Sequence, residues 1–371
     1  MIDRRAARHF DVPLLLLAGA LVAYGAVLIY SASLNAYPDG VTLGHPVVRH
    51  VLFAIAGIGI ALGVAWLDYR IFGQAAPGLY VLAVLLLAAV LFVGDSEFGS
   101  TRWFNVAGQQ IQASEVAKLL TIVALARFLA DRQARMHELR IFLVSLGLAA
   151  VPAALVLIEP DMGTAAVFGA IWLGMVMVAG APPRFALVLI GLVVALVPFA
   201  TLTVLGDYQI ERFELWINPN SDPFGGGFPI RQAEIGIGSG GLLGQGLTEG
   251  TQTQLSFLRT GTTDYIFSVL GEELGFVGAL VLLALFTALL FRGIRAATIT
   301  SDPFGRLIAT GIVVWILFQV FINIAVNVRL APVTGIPLPF ISQGGSSLIM
   351  LFAALGLIEG IVMRHKRIEF D

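Results

Sequence analysis

Apolar residues in this chain run in blocks about as long as a bilayer is thick, and charged residues collect between the blocks. Crossing roughly 30 Å of hydrocarbon takes about 20 residues of helix. A window of that length predicts ten spans, at 12–33, 47–67, 75–94, 113–131, 140–158, 162–180, 185–205, 264–291, 306–327 and 345–363. An even count puts both termini on one side. The first span follows Arg4, Arg5 and Arg8, and Ser31-Ala32-Ser33 is small enough for signal cleavage. Its apolar run is too long for an ordinary signal core, so it reads as a retained anchor.

Loop charges set the expected orientation. Fifteen Lys and Arg fall on the side of the N-terminus: Arg4, Arg5, Arg8, Arg70, Arg127, Arg132, Arg135, Arg140, Arg184, Arg292, Arg295, Arg306, Arg364, Lys366 and Arg367. Six fall opposite: Arg49, Arg102, Arg212, Arg231, Arg259 and Arg329. Both termini are therefore expected in the cytoplasm, and the connections with unusual chemistry on the outer face.

With 371 residues, 58% of them hydrophobic and 12% charged, and a mean hydropathy of +0.89, the chain has more apolar surface than one soluble core can bury. The expected fold class is all-α, a polytopic integral membrane protein forming one domain over 1–371. The net charge of −2 gives no nucleic-acid signal. The absence of cysteine excludes disulfides, a thiolate nucleophile and Cys-ligated metals, and the five histidines show no metal-ligand spacing.

One long soluble stretch is expected, the outer loop at about 206–263, with twelve glycines. A connection of that length is more often functional than idle. Within it Gly236-Ile237-Gly238-Ser239-Gly240-Gly241 formally matches a dinucleotide fingerprint, but no βαβ pattern surrounds it. Tight turns, backbone amides near a phosphate, or a purely structural loop are the readings that remain. The loop ends at Gly261-Thr262-Thr263-Asp264-Tyr265-Ile266-Phe267. An acid at a membrane-water boundary can take a proton from a substrate whose tail stays in lipid; equally, Asp264 can cap the helix that follows.

Several stretches together carry a family resemblance: Arg102-Trp103-Phe104, Ser114-Glu115-Val116-Ala117-Lys118, Glu159-Pro160-Asp161-Met162-Gly163-Thr164, Ile237-Gly238-Ser239-Gly240-Gly241, Gly250-Thr251-Gln252-Thr253-Gln254 and Thr263-Asp264-Tyr265-Ile266-Phe267. Gly271-Glu272-Glu273-Leu274-Gly275 and the run from Pro337 to Ser347 complete the set. In this order, over nearly the whole chain, they resemble the RodA/FtsW family of shape, elongation, division and sporulation proteins. The Gly-Thr-Gln-x-Gln segment is more similar to the elongation branch, RodA, than to the division branch, FtsW. Gln343 stands where the family commonly has Tyr, and Leu258-Arg259-Thr260-Gly261-Thr262 replaces a usual Leu-Pro-Glu-x-His run.

The resemblance implies a peptidoglycan glycosyltransferase in the bacterial plasma membrane. It would join disaccharides carried on undecaprenyl diphosphate (lipid II) into glycan strands on the outer face, with inversion. The sugar hydroxyl needs a base, for which the resemblance favours Asp264, and the diphosphate leaving group needs cations. Glu115 and Lys118 share a helix face and can pair, either as a structural ion pair or with Lys118 on the diphosphate and Glu115 orienting it. The resemblance sets Arg102 near phosphate and Trp103 against sugar or lipid; Trp103 also suits an interfacial aromatic belt. Arg212, Arg231 and Arg259 are further phosphate candidates, of which one is expected to serve.

Asp161, after Pro160 at the outer start of a span, is either a substrate residue or a favourable helix-start acid. Glu272 and Glu273 lie about 80° and 180° around the helix from Asp264 and read as packing or supporting residues. Gln319, Asn323 and Asn327 form a polar stripe that either bonds between helices or lines a lipid-open cavity. A divalent cation, magnesium or manganese, bridging diphosphate and acid is chemically reasonable, although no dedicated metal cage is visible. The implied partner is a class B penicillin-binding protein, since the chain has no SxxK transpeptidase motif in a suitable soluble domain. A lipid II flippase or a non-catalytic scaffold that activates the partner are the competing functions.

Overall fold

The structure, a computed structural model, describes residues 9–37, 40–97, 100–106, 109–203, 207–258 and 260–365. The first helices follow the apolar blocks: α1 Val12–Ser33, α2 Pro46–Trp66 and α3 Tyr69–Val93. An antiparallel sheet comes next, β1 Asp95–Glu97, β2 Ser100–Val106 and β3 Gln109–Gln112, in the order β1-β2-β3. Then follow α4 Ala113–Asp131, α5 Leu139–Ile158, α6 Met162–Val178 and α7 Pro183–Thr203. Three shorter helices, α8 Asp207–Ile217, α9 Gly227–Gly240 and α10 Thr251–Gln254, precede α11 Ile266–Ile299, α12 Pro303–Asn327 and α13 Gly345–Arg364.

Ten of these helices occupy the ten apolar windows. In hydrocarbon every backbone N–H and C=O has to be satisfied within its own segment, and a helix does this. Among the described residues seven helices are long and apolar enough to cross a membrane on those grounds alone: α1, α2, α3, α5, α11, α12 and α13. The segments 162–178 and 183–192 are apolar but shorter, and α4 carries Glu115, Lys118, Arg127 and Asp131. α13 packs along α2, α3 along α4, α5 along α6, and α12 against α4, α6 and α11. The buried apolar core runs through most of them, from Leu14 to Val362.

Two parts of the outer architecture differ from the sequence reading. The sheet was not expected; its β2–β3 ladder pairs Trp103 with Gln112 and Phe104 with Ile111 and leads directly into α4. The stretch 206–263 is not a plain loop, because α8, α9 and α10 form within it. Nor is the helix after it continuous: α11 is broken at Gly275, whose φ of 63° suits only a residue without Cβ.

The glycine-rich run resolves this break. Phe276 and Val277 donate their freed N–H groups to the carbonyls of Gly241 and Leu242, at 3.0 Å each. In return Gln245 and Gly246 donate to the carbonyls of Glu272 and Glu273, at 2.9 and 3.1 Å. A Cβ on Gly240 would run into the carbonyl oxygen of Gly271. The run 236–241 is therefore the end of α9 laid against α11, a structural role and not a phosphate cradle.

Candidate active site

The residues near the start of α11 come from segments far apart in sequence. Asn327, in the last turn of α12, donates from Nδ2 to the Asp264 carbonyl at 2.8 Å, while its Oδ1 accepts from the Ser268 N–H and hydroxyl at 3.0 and 2.6 Å. Asn323, one turn earlier, donates to the same Asp264 carbonyl at 3.2 Å and to Ile336 O at 2.9 Å. The polar stripe thus bonds between segments, and it holds the backbone of Asp264. From the other side Gln343 N donates to Thr262 O at 2.8 Å and the Ser342 hydroxyl to Thr263 O at 2.7 Å. The turn from Pro337 to Ser347 is a wall fixed to the Thr-Asp segment.

Helix capping does not occupy the Asp264 side chain. The N-cap position of α11 is Tyr265, and the Asp264 carboxylate accepts no hydrogen bond among the described residues. Asp264 is half-buried. Burial pushes its carboxyl up to about 6; the Arg212 guanidinium pulls it down, Asp161 pushes it up, and Arg102 pulls it down. These charges come from α8, the start of α6 and β2, so they surround the acid from three elements.

Each neighbour is itself held in place. Asp161 caps α6, its Oδ1 accepting from Thr164 N at 3.0 Å and its Oδ2 from the Thr164 hydroxyl at 2.9 Å. Arg102 Nη1 lies 3.6 Å from Asp161 Oδ2, and its Nε and Nη2 donate to the carbonyls of Glu159 and Pro160 at 3.0 and 2.8 Å. Gln112 Nε2 approaches Asp161 Oδ2 at 3.5 Å. Arg212 Nη1 donates to Val333 O at 2.9 Å. Arg212 also lines a cavity of about 170 Å³ whose other walls include Met162, Phe213, Phe318, Ile322 and Val333. That cavity is apolar and lies beside the charged cluster.

The remaining predicted residues separate by location. Lys118 Nζ is 2.8 Å from Glu115 Oε1 and 4.9 Å from the Trp315 ring centroid, with neither charged side chain more than 1% exposed. Trp315 precedes Asn323 by eight residues on α12, about 12 Å along the axis, so this pair lies deeper than Asp264. Trp103 is half-buried on β2 beside Arg102. Arg231 is exposed on α9 and is not brought to the cluster. Arg259 lies outside the described residues.

Glu272 and Glu273 act away from Asp264. Glu272 accepts from Gln252 N, Thr253 N and the hydroxyls of Thr251 and Thr253 at 2.7 to 3.2 Å, anchoring α10. Glu273 accepts from the Ser31 hydroxyl at 2.6 Å.

Three groups escaped the sequence reading. Glu159 is buried at 1% exposure with neither carboxyl oxygen hydrogen-bonded among the described residues. Burial, reinforced by Asp161 and opposed by Arg102, pushes it up to about 8. Gln112, at the end of β3, is tied to Ser346 and Asp161. Arg329, with φ of 58°, donates to the carbonyls of Trp216 and Ile217 and pairs with Glu234, tying α8 and α9 to the end of α12. The only available signals were that Glu159 adjoins Pro160-Asp161 and that Arg329 closes an apolar span. Among the described residues no group of three or more His, Asp or Glu is placed to hold a metal ion.

A helical membrane protein with an unencumbered, pKa-raised acid among arginines, beside an apolar cavity at the face opposite its termini, is the class these features define. The chain belongs to the FtsW/RodA/SpoVE family of cell cycle proteins, whose model matches residues 12–367. It is 37% identical over 361 residues to the peptidoglycan glycosyltransferase MrdB of Escherichia coli K12, covering 97% of this chain and 95% of that protein. Among solved structures, it matches a chain of a peptidoglycan synthase complex that coordinates polymerization and crosslinking, with TM-score 0.82, 32% identity and coverage of 98% and 99%. It also matches the rod shape determining protein RodA of Thermus thermophilus, with TM-score 0.69, 30% identity and 98% coverage of each chain.

Proposed function

We propose that this chain is a peptidoglycan glycosyltransferase that polymerises lipid II on the outer face of the bacterial plasma membrane, with both termini in the cytoplasm and Asp264 as the general base. The carrying observation is the free Asp264 carboxylate, raised to about 6 between Arg212, Asp161 and Arg102. The acceptor's sugar hydroxyl loses its proton to Asp264 as its oxygen attacks the anomeric carbon of the lipid-linked donor. The bond from that carbon to the diphosphate breaks, and the α linkage becomes β. Proton removal of this kind contributes about 10² to 10⁴ in rate. A base near 6 stays mostly ionised at neutral pH and is stronger than an ordinary carboxylate.

Arg212 stands where both parts of the leaving group can be met. Its guanidinium neutralises developing phosphate charge, and the apolar cavity beside it takes the first isoprene units of the tail. Arg102, already engaged by Asp161, Glu159 and Pro160, fixes the opposite wall. The Lys118–Glu115 pair supports the cluster from deeper in the bundle. The partner is a class B penicillin-binding protein, which would crosslink the strands; the polymerization and crosslinking complex among the similar structures supports that pairing.

The test is glycan-strand formation from lipid II by the chain purified with its cognate penicillin-binding protein, comparing wild type with Asp264→Asn in complexes shown to be assembled. Loss of polymer in the variant alone supports the base. Equal polymer from both assigns the base elsewhere. No polymer from either favours transport of lipid II or a scaffold.

A further inference from the structure

At the face carrying the termini, far from Asp264, lies a second and larger cavity that glycosyl transfer does not use. Its volume is about 330 Å³. Arg292, Arg295, Ala296 and Ile299 line it from the last turns of α11, at the three- and four-residue spacing that puts them on one helix face. Phe10, Pro13 and Val362 add apolar wall from α1 and α13. His9 and His365 stand edge to face with ring centroids 5.3 Å apart.

Among the described residues lining this cavity two are arginines, Arg292 and Arg295, and one is an acid, Asp11. Arg292 is committed to Asp11, its Nε donating to Oδ2 at 2.9 Å and its Nη2 to Oδ1. Asp11 N in turn donates to Glu359 Oε2 at 3.0 Å, and Glu359 is buried behind that contact. The Arg295 guanidinium is exposed and has no partner among the described residues. His365 Nδ1 is 2.6 Å from Val362 O and donates to that carbonyl, so in the neutral ring Nε2 is an acceptor and His365 serves as wall, not as an anion donor. Because the Asp11 side chain is drawn to Arg292, α1 also starts there without a side-chain cap. The C-terminal carbonyls of α11 and α13 act in the opposite sense on an anion, and they limit its affinity.

We propose that this cavity binds the anionic phosphodiester headgroup of a membrane lipid in the leaflet on the side of the termini. The phosphate would lie against Arg295 beside the His9–His365 ring pair, with the glycerol and first methylenes against Phe10, Pro13 and Ile299. A basic recess between spanning helices is suited to such headgroups. The lining is mostly polar, so the charged headgroup carries the recognition, and Phe10, Pro13 and Ile299 add contact with methylenes that inorganic phosphate lacks. The proposal requires none of the sugar chemistry and stands or falls separately from it.

The experiment is native mass spectrometry of the full chain in detergent, titrated with phosphatidylglycerol and, in parallel, with phosphatidylglycerol plus millimolar inorganic phosphate. Arg295→Gln is compared with Arg140→Gln, which removes an exposed arginine from the start of α5, outside the cavity. The expected result is about fivefold weaker lipid binding in Arg295→Gln, the size of one cationic contact to an anionic headgroup, with Arg140→Gln like wild type. Equal binding by both variants would overturn the site. Displacement of the lipid by inorganic phosphate would overturn the lipid assignment and leave a free-phosphate site.

Discussion

If Asp264 is the base, the rate of strand formation carries its ionisation. With the carboxyl at about 6, roughly 90% is ionised at pH 7 and roughly 10% at pH 5, so kcat/KM should fall about tenfold across that interval. An ordinary aspartate near 4 would remain about 90% ionised at pH 5 and give a nearly flat profile. Arg212 is the foremost charge holding the acid down, so Arg212→Gln should move the acidic limb upward, by about one unit. The assay is initial-rate polymerisation of lipid II by the assembled complex between pH 5 and 8. A flat wild-type profile down to pH 5, or a limb that moves downward in Arg212→Gln, would refute the reasoning.

The same shift predicts the stability control. A carboxyl whose folded pKa lies above its unfolded value binds its proton more tightly when folded. Ionised Asp264 therefore disfavours the fold, with no effect below about pH 4, a cost that grows to about pH 6, and a constant cost above. Asp264→Asn should consequently melt no lower than wild type at pH 7, and an inactive variant at that pH reports lost chemistry.

Glu159→Gln should leave activity at pH 7 nearly unchanged, because a carboxyl at about 8 is mostly protonated there; the variant's relative stability should rise as pH climbs from about 4.5 to 8, read by thermal unfolding at several pH values. Asn327→Leu removes the shorter of the two asparagine bonds to the Asp264 carbonyl and frees the Ser268 N–H, and should lower kcat by about tenfold with KM little changed. Glu272→Gln removes the charge that collects four hydrogen bonds from α10, a loss of about 3 kcal/mol visible as proteolysis between 245 and 256. Gly240→Ala places a methyl against the Gly271 carbonyl and should cost about 1 to 3 kcal/mol or prevent accumulation, measured as folded yield.

The long helices were legible because the bilayer dictates their length and composition, and α1, α5 and α12 fall within a few residues of their apolar windows. The outer architecture was less so. α8 and α9 carry too many polar and glycine residues for a span, and they are held by packing of α9 on α11 and of α8 on α9 and the turn at 219–221, so composition alone reads them as loop. The sheet strands are three to seven residues long and are fixed by pairing with one another, which short windows do not reveal. Asp264, Arg102, Arg212 and Asp161 could be named singly from motif and charge. Their meeting depends on contacts such as Arg212 to Val333 and Arg102 to Glu159, which join residues dozens of positions apart. The burial of Glu159 was opaque for the same reason, whereas Asn327 was legible as part of a polar stripe, though not its hold on Asp264.

The two asparagines of α12 grip the main chain of Asp264 and leave its carboxylate alone. Position and reactivity are thereby set by different atoms of one residue. If Asp264 is the base, substitutions at Asn323 or Asn327 alter where the acid stands without touching its carboxyl, and substitutions at Arg212 alter its proton affinity without touching its anchorage, so placement and basicity can be varied one at a time.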